Sequence, residues 1–338
     1  MDIKQILPSL APNKGFRAKP INRTPSESYS VGFPYSLTKL LEEISLSKKV
    51  FSNSKEVSYL GKITNHPRIL QFCENYPGVQ NSLYEVHFLL ISHSDSVKRE
   101  LKELCKLLEK AVIAYAHSDE LSFSKDHPLS VICTNHDLFV IPNRNIMRDV
   151  ELTFRELENL DPMEFQSAAD HTRFLNIDFS CRTYAEASKY GFTILAADVL
   201  VDPIESKLSL AHETGHHELF DNFPLESDLV KRPSGNLSAK KHTSIYDYDT
   251  HPGTLLEETY THLIETRLAI KMLLLGSTHL YKGIQKNIKF IQESLKLLNS
   301  SKAKGTLTPD GKKLLREMQI AFNETRECFR KEVRMKAA

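Results

Sequence analysis

The last run of β character in this sequence is FTILAADVLVD, from Phe192 to Asp202, and beyond it the apolar residues recur only at three- and four-residue intervals. Any sheet must therefore be assembled from residues before 203, and the rest of the chain must pack as helices. The spacing predicts those helices over 205–220, 254–275, 279–298 and 309–335. Between the first two lies DNFPLESDLVKRPSGNLSAKKHTSIYDYDTHPG, rich in Pro, Gly, Ser, Lys and Asp. Connections of this length tend to carry function.

Upstream, SLTKLLEEISL from Ser36 has helical spacing, and LYEVHFLLIS reads as a mainly apolar strand or buried segment. Residues 96–117 predict a long amphipathic helix with Leu101, Leu104, Leu108, Val112 and Ile113 on its apolar side. SVICTN and DLFVIPN predict a strand pair around a turn at Asn135 and His136, and 149–189 leans helical. The sum is an α+β protein with a small mixed sheet and a mainly helical C-terminal half. Pro8, Pro12, Pro20, Pro25 and Pro34 mark 1–35 as a flexible leader. An N-terminal α/β region at 36–150 and a C-terminal region at 151–338 follow it.

Composition narrows the function. The chain has 338 residues, room for about two domains, and is 41% hydrophobic and 26% charged, which suits a folded globular protein. Lys and Arg number 44 against 43 Asp and Glu, so no net field draws the chain to nucleic acid. The apolar run at 270–275 is interrupted by Lys271, and no apolar run of the sequence comes near the roughly 20 residues of a membrane span. The first twenty residues hold no apolar stretch of signal-peptide length, so the expectation is a cytoplasmic fold. Cys73, Cys105, Cys133, Cys181 and Cys328 are odd in number and form no C-x-x-C pair, which fits a reducing compartment and argues against a thiolate zinc site. The glycine-rich phosphate cradles of dinucleotide and nucleotide triphosphate enzymes are absent from the sequence.

The chemistry concentrates in LSLAHETGHHELF, where His212, Glu213 and His216 form H-E-x-x-H on a predicted helix that follows a predicted strand. Residues i and i+4 of a helix differ by about 40° in azimuth, so both imidazoles can reach one metal ion. Glu213 sits about 100° around from His212, where a carboxylate can act as base beside a metal-held water. Zinc suits such ligands, and a three-ligand site leaves a position for water. By chance the pattern would arise in roughly one chain in twenty of this composition, so a third ligand is needed to give it weight. A histidine six residues after His216 is missing, since that position is Asn222. The second helix offers Glu257 or Glu258 in TLLEETYTHLIETR. Both also suit a first helical turn, where acids meet the macrodipole. Glu258 is the better ligand candidate because Glu258, His262 and Glu265 fall on one polar line, whereas Glu257 aligns with Thr261, Ile264 and Leu268. His217 lies about 140° from His212 and is expected to be packed instead of ligating.

From about Glu205 to Arg267, this arrangement resembles the gluzincin metallopeptidases, in which a Glu on the next helix completes H-E-x-x-H. LAHETGHH is similar to the active helix of ImmA/IrrE-type peptidases, and the HExxHH opening is similar to that of secreted bacterial effector metalloproteases. The resemblance implies a zincin-like fold and one Zn2+ per chain on His212, His216 and Glu258. It further implies hydrolysis of a peptide bond in a protein or peptide substrate by a zinc-activated water, with Glu213 as general base. It implies an oxyanion donor from a Tyr or His of the long loop: Tyr248 first, then His251, with Tyr246 and His242 nearby. An effector delivered into a host cytosol is implied too. In such families an Asp or Glu four residues after the ligand Glu holds the first His. Here those positions are His262 and Thr261, a departure. The competing expectations are a structural zinc, with His217, His251 or His262 as a further ligand, and an interaction protein that works through its long helices.

Overall fold

The computed structural model describes residues 36–46, 54–76, 78–135, 138–140, 144–179, 185–188, 191–223, 226–231 and 252–337. The leader at 1–35, His136 of the expected turn, Cys181, and the loop residues His242, Tyr246, Tyr248 and His251 lie outside the described residues. The protein is mixed α and β, mostly helical, with one small mixed sheet. Its internal contacts divide the described chain into two units, one of residues 36–149 with Thr172–Asp198, the other of Val150–His171 with the chain from Val199 onward.

The first unit opens with α1 (Leu37–Leu46), α2 (Lys55–Thr64), α3 (Pro67–Asn75), α4 (Val79–Ile91) and α5 (Val97–Ala116). Ser54 caps α2 by accepting the Val57 N–H, and Pro67 occupies the first turn of α3, where a missing N–H costs nothing. In α5, Leu101, Leu104, Leu108 and Ala111 are buried, but Ile113 is exposed. The expectation of a strand or buried segment at LYEVHFLLIS is corrected, because these residues form α4, with Tyr84, Phe88 and Ile91 exposed along one face. Apolar side chains on both sides of this helix erase the 3.6-residue period.

The sheet comprises β1 (Asp119–Leu121), β2 (Leu129–Asn135), β3 (Leu138–Val140), β4 (Phe174–Asp178), β5 (Ala185–Ser188) and β6 (Phe192–Ala196). Its order is β1-β2-β4-β6-β5, with β3 also paired to β2. The central strands β2, β4 and β6 run parallel, and β1, β3 and β5 pair antiparallel. The expected strand pair is present as β2 and β3, Asn135 lying opposite Leu138. The helical leaning of 149–189 holds only in part. Phe174, Leu175, Asn176 and Ile177 form the middle strand, and because both faces are buried the sequence shows no alternation there. The run from Phe192 likewise stops being a strand at Ala196 and continues as α8 (Ala197–Val201).

The rings of Phe72, Phe174 and Phe192 tie α3 to β4 and β6, with centroids 5.5 and 5.6 Å from Phe72, and Tyr115 of α5 adds a fourth ring at 5.5 Å from Phe72.

The second unit holds the part of α6 (Arg144–Leu160) from Val150 onward and α7 (Pro162–His171). It continues with α9 (Glu205–Asn222), α10 (Glu226–Leu229), α11 (Pro252–Leu274), α12 (Tyr281–Leu298), α13 (Ser301–Thr306) and α14 (Pro309–Ala337). Asp202 starts α9 by accepting the Ile204 and Glu205 N–H groups at 2.8 and 3.0 Å, and these bonds hold its carboxyl below the usual range. α11 packs on α9, α12 and α14. Beyond α10, Val230 bridges Leu307, and the Lys231 N–H donates to the Thr306 carbonyl at 2.7 Å. Among the described residues, no helix is long and apolar enough to cross a membrane.

Glu74 in α3 is buried and accepts the Leu37 N–H at the start of α1 at 2.8 Å. Burial pushes its carboxyl from 4.5 up to about 7, against the opposing pull of that bond. The unfolded chain therefore gives up this proton first as pH rises. The stability tied to Glu74 is present below pH 4.5 and declines as pH approaches 7, by about 3 kcal/mol at most. Urea unfolding at pH 5 and pH 7.5 should show this decline in the wild type, and Glu74→Gln should flatten it.

Candidate metal centre

The two helices that carry the candidate residues are buried almost all round, unlike the amphipathic helix expected for 205–220. Polar groups so placed need partners. Thr214 donates to the Leu210 carbonyl, and Thr259 and Thr266 bond back to the carbonyls of Leu255 and His262. Glu218 accepts from Ser167 of α7 and from the Tyr260 hydroxyl of α11. At Lys271, α11 forms a buried ion pair with Asp161.

Gly215 sits where α9 meets α11. A Cβ there would lie 3.1 Å from the ends of the Thr261 and Ile264 side chains and 3.3 Å from the Thr261 Cα. The bare backbone at this position lets α11 bring its acids against the imidazoles of α9.

Those acids divide among the imidazole nitrogens. Glu265 accepts from His212 Nδ1 at 3.1 Å, and Glu257 accepts from His216 Nδ1 at 2.8 Å. A carboxylate can only accept here, so each Nδ1 carries its proton and each Nε2 is left for another partner. The two Nε2 atoms face one another at 3.3 Å. Glu258 completes the group, its oxygens 3.8 Å from His212 Nε2 and 4.0 Å from His216 Nε2. Its Oε2 is buried and accepts no hydrogen bond.

Two nitrogens each about 2.0–2.1 Å from a tetrahedral zinc stand roughly 3.3 Å apart, so the His212 and His216 separation suits that ion. His212, His216 and Glu258 thus form a group that can hold a metal. A second grouping, His212, His262 and Glu265, has its Nδ1 atoms 3.1 and 3.0 Å from one carboxylate oxygen, and these are hydrogen-bond distances.

The electrostatics favour a positive charge on His212. Burial opposes the His212 imidazolium, yet the Glu265 bond and charge, with Glu213 and Glu258 nearby, raise its pKa to about 9. Burial likewise opposes a charged Glu265, but the His212 and His262 N–H groups hold its carboxyl well below the usual range.

Of the residues singled out in the sequence, His212, His216 and Glu258 come together, with Glu213 buried beside them on α9. His217 is buried. Tyr248 and the other oxyanion candidates fall outside the described residues. Burial pushes the thiol of Cys133 up to about 11, the wrong direction for a nucleophile. The sequence reading did not foresee Glu257 as partner of His216 or Glu265 as partner of His212. Its one available signal for Glu265 was the polar line from Glu258. At position 262 the departure stands: His262 bonds to Glu265 at 3.0 Å, and it is Glu265, three residues further on, that reaches His212. No known protein-family model matches the chain, and no curated protein matches it either.

Substitution at Gly215 tests the helix crossing. Gly215→Val should lower the unfolding free energy by about 2 kcal/mol or more in chemical denaturation, through overpacking against the Thr261 backbone. Gly215→Ala should fall between, since the better helix propensity of Ala returns about 1 kcal/mol.

Proposed function

We propose that this chain is a zinc-dependent metallopeptidase of zincin-like architecture, acting on a protein or peptide substrate. The observation that carries the reading is the pair of facing Nε2 atoms with the unbonded Glu258 oxygen beside them. With His212 neutral, two imidazole lone pairs and a carboxylate oxygen converge here among the described residues, and a cation would satisfy all three. His212, His216 and Glu258 would hold one zinc ion per chain. When bound, that ion supplies Lewis acidity toward a carbonyl oxygen and lowers the pKa of a water molecule it holds.

The rest is done by the chain's own groups. Glu257 and Glu265 fix the tautomer and ring orientation of the two histidines, so that both Nε2 atoms are turned toward the space beside Glu258. Glu213 takes a proton from the attacking water and returns it to the leaving amine, as a buried carboxylate next to the ligand His can. Tyr248 is the assigned donor to the oxyanion, on the resemblance to gluzincins.

Elemental analysis of purified wild type, His212→Ala and Glu213→Gln tests the proposal, together with cleavage of a mixed peptide library read by mass spectrometry. The expected result is one zinc per chain, lost in His212→Ala and kept in Glu213→Gln, with hydrolysis reduced about 10²–10⁴-fold in the latter. Wild type without zinc after titration would overturn the metal centre. Zinc held tightly by a chain that cleaves nothing would instead favour a structural ion.

A further inference from the structure

Glu265 is the most heavily engaged acid of the centre. Its Oε2 accepts from both His212 Nδ1 and His262 Nδ1, and its Oε1 accepts from Asn287 Nδ2 of α12 at 3.0 Å. The terminal torsion of a glutamate is broad and two-fold, so a carboxylate gripped at one oxygen alone can turn away from its imidazole. Asn287 grips the other oxygen. The same helix supplies Phe290, whose ring stands 4.8 Å from that of His262, while His262 stands 4.8 Å from His212. Both contacts are edge-on. Through one hydrogen bond and one ring contact, α12 therefore fixes the carboxylate and the histidine that shares it.

We infer that Asn287 is a positioning residue of the metal centre, acting through Glu265 to hold His212 with its proton on Nδ1 and its Nε2 lone pair toward His216 and Glu258. This rests on the zinc reading. Asn287 is buried, and an apolar replacement would remove the donor that it gives to Oε1 of Glu265. The carboxylate would then be free to rotate, and His212 free to adopt the other tautomer.

Zinc affinity measured on the full chain by competition with a chromophoric chelator tests this, alongside the His212 tautomer read by long-range ¹H–¹⁵N NMR on metal-free protein at pH 10, where the imidazole is neutral. Asn287→Leu should weaken zinc binding about 10–100-fold and mix the His212 tautomers, and Asn287→Gln, which keeps an amide donor, should recover part of both. Ile291→Val, a buried change on the same helix, controls for simple loosening and should leave zinc affinity unchanged. Unchanged affinity and tautomer in Asn287→Leu would overturn the inference while leaving the zinc reading intact. An equal loss of affinity in Ile291→Val would also overturn it. A wild type that takes up no zinc would overturn both.

Discussion

Helices α9 and α11 bury charged and polar side chains on nearly every face, and this can persist only if most of those groups find partners on these two helices or on the segments packed against them. The rest of the second unit follows from that constraint. Glu218 is met by Ser167 and Tyr260, Lys271 by Asp161, and the two motif histidines by Glu257 and Glu265. A leucine pair at such a crossing would tolerate a shift of an ångström. A set of hydrogen bonds of 2.8–3.1 Å does not, which is why the contact is closed over a glycine.

Adjacent glutamates on one helix point about 100° apart, so Glu257 and Glu258 cannot converge on a single atom. They serve the two nitrogens of one ring instead. Glu257 engages Nδ1 of His216 from the outside, and Glu258 stands before its Nε2. The choice between them as ligands is thereby recast as a division of labour, in which one acid orients the imidazole and the other shares what the imidazole faces.

Much of this was legible in the chain before any coordinates. The long helices announced themselves because their apolar residues keep the 3.6-residue period, as at Leu101, Leu104 and Leu108. His212, Glu213, His216 and Glu258 stood out because their spacing is local to one helix or its neighbour. What escaped notice had physical reasons. β4 is buried on both faces and so lacks alternation, and α4 exposes Phe88 and Ile91 and so lacks a clean polar side. The bonds from Glu265 to His212 and from Asn287 to Glu265 depend on where helices cross, and no periodicity encodes a crossing.

The interleaving of the two units bears on how the protein is made. Synthesis passes from the first unit to the second at residue 150, back at 172, and out again at 199. When residue 149 has been added, β2 still has an open edge where β4 will pair, and Phe72 lacks the rings of Phe174 and Phe192. A nascent chain at that stage presents an open strand edge and an incomplete aromatic core, the features that invite misassociation on the ribosome. The first unit is thus completed only after a segment of the second has been translated, so neither can be obtained by cutting the gene once.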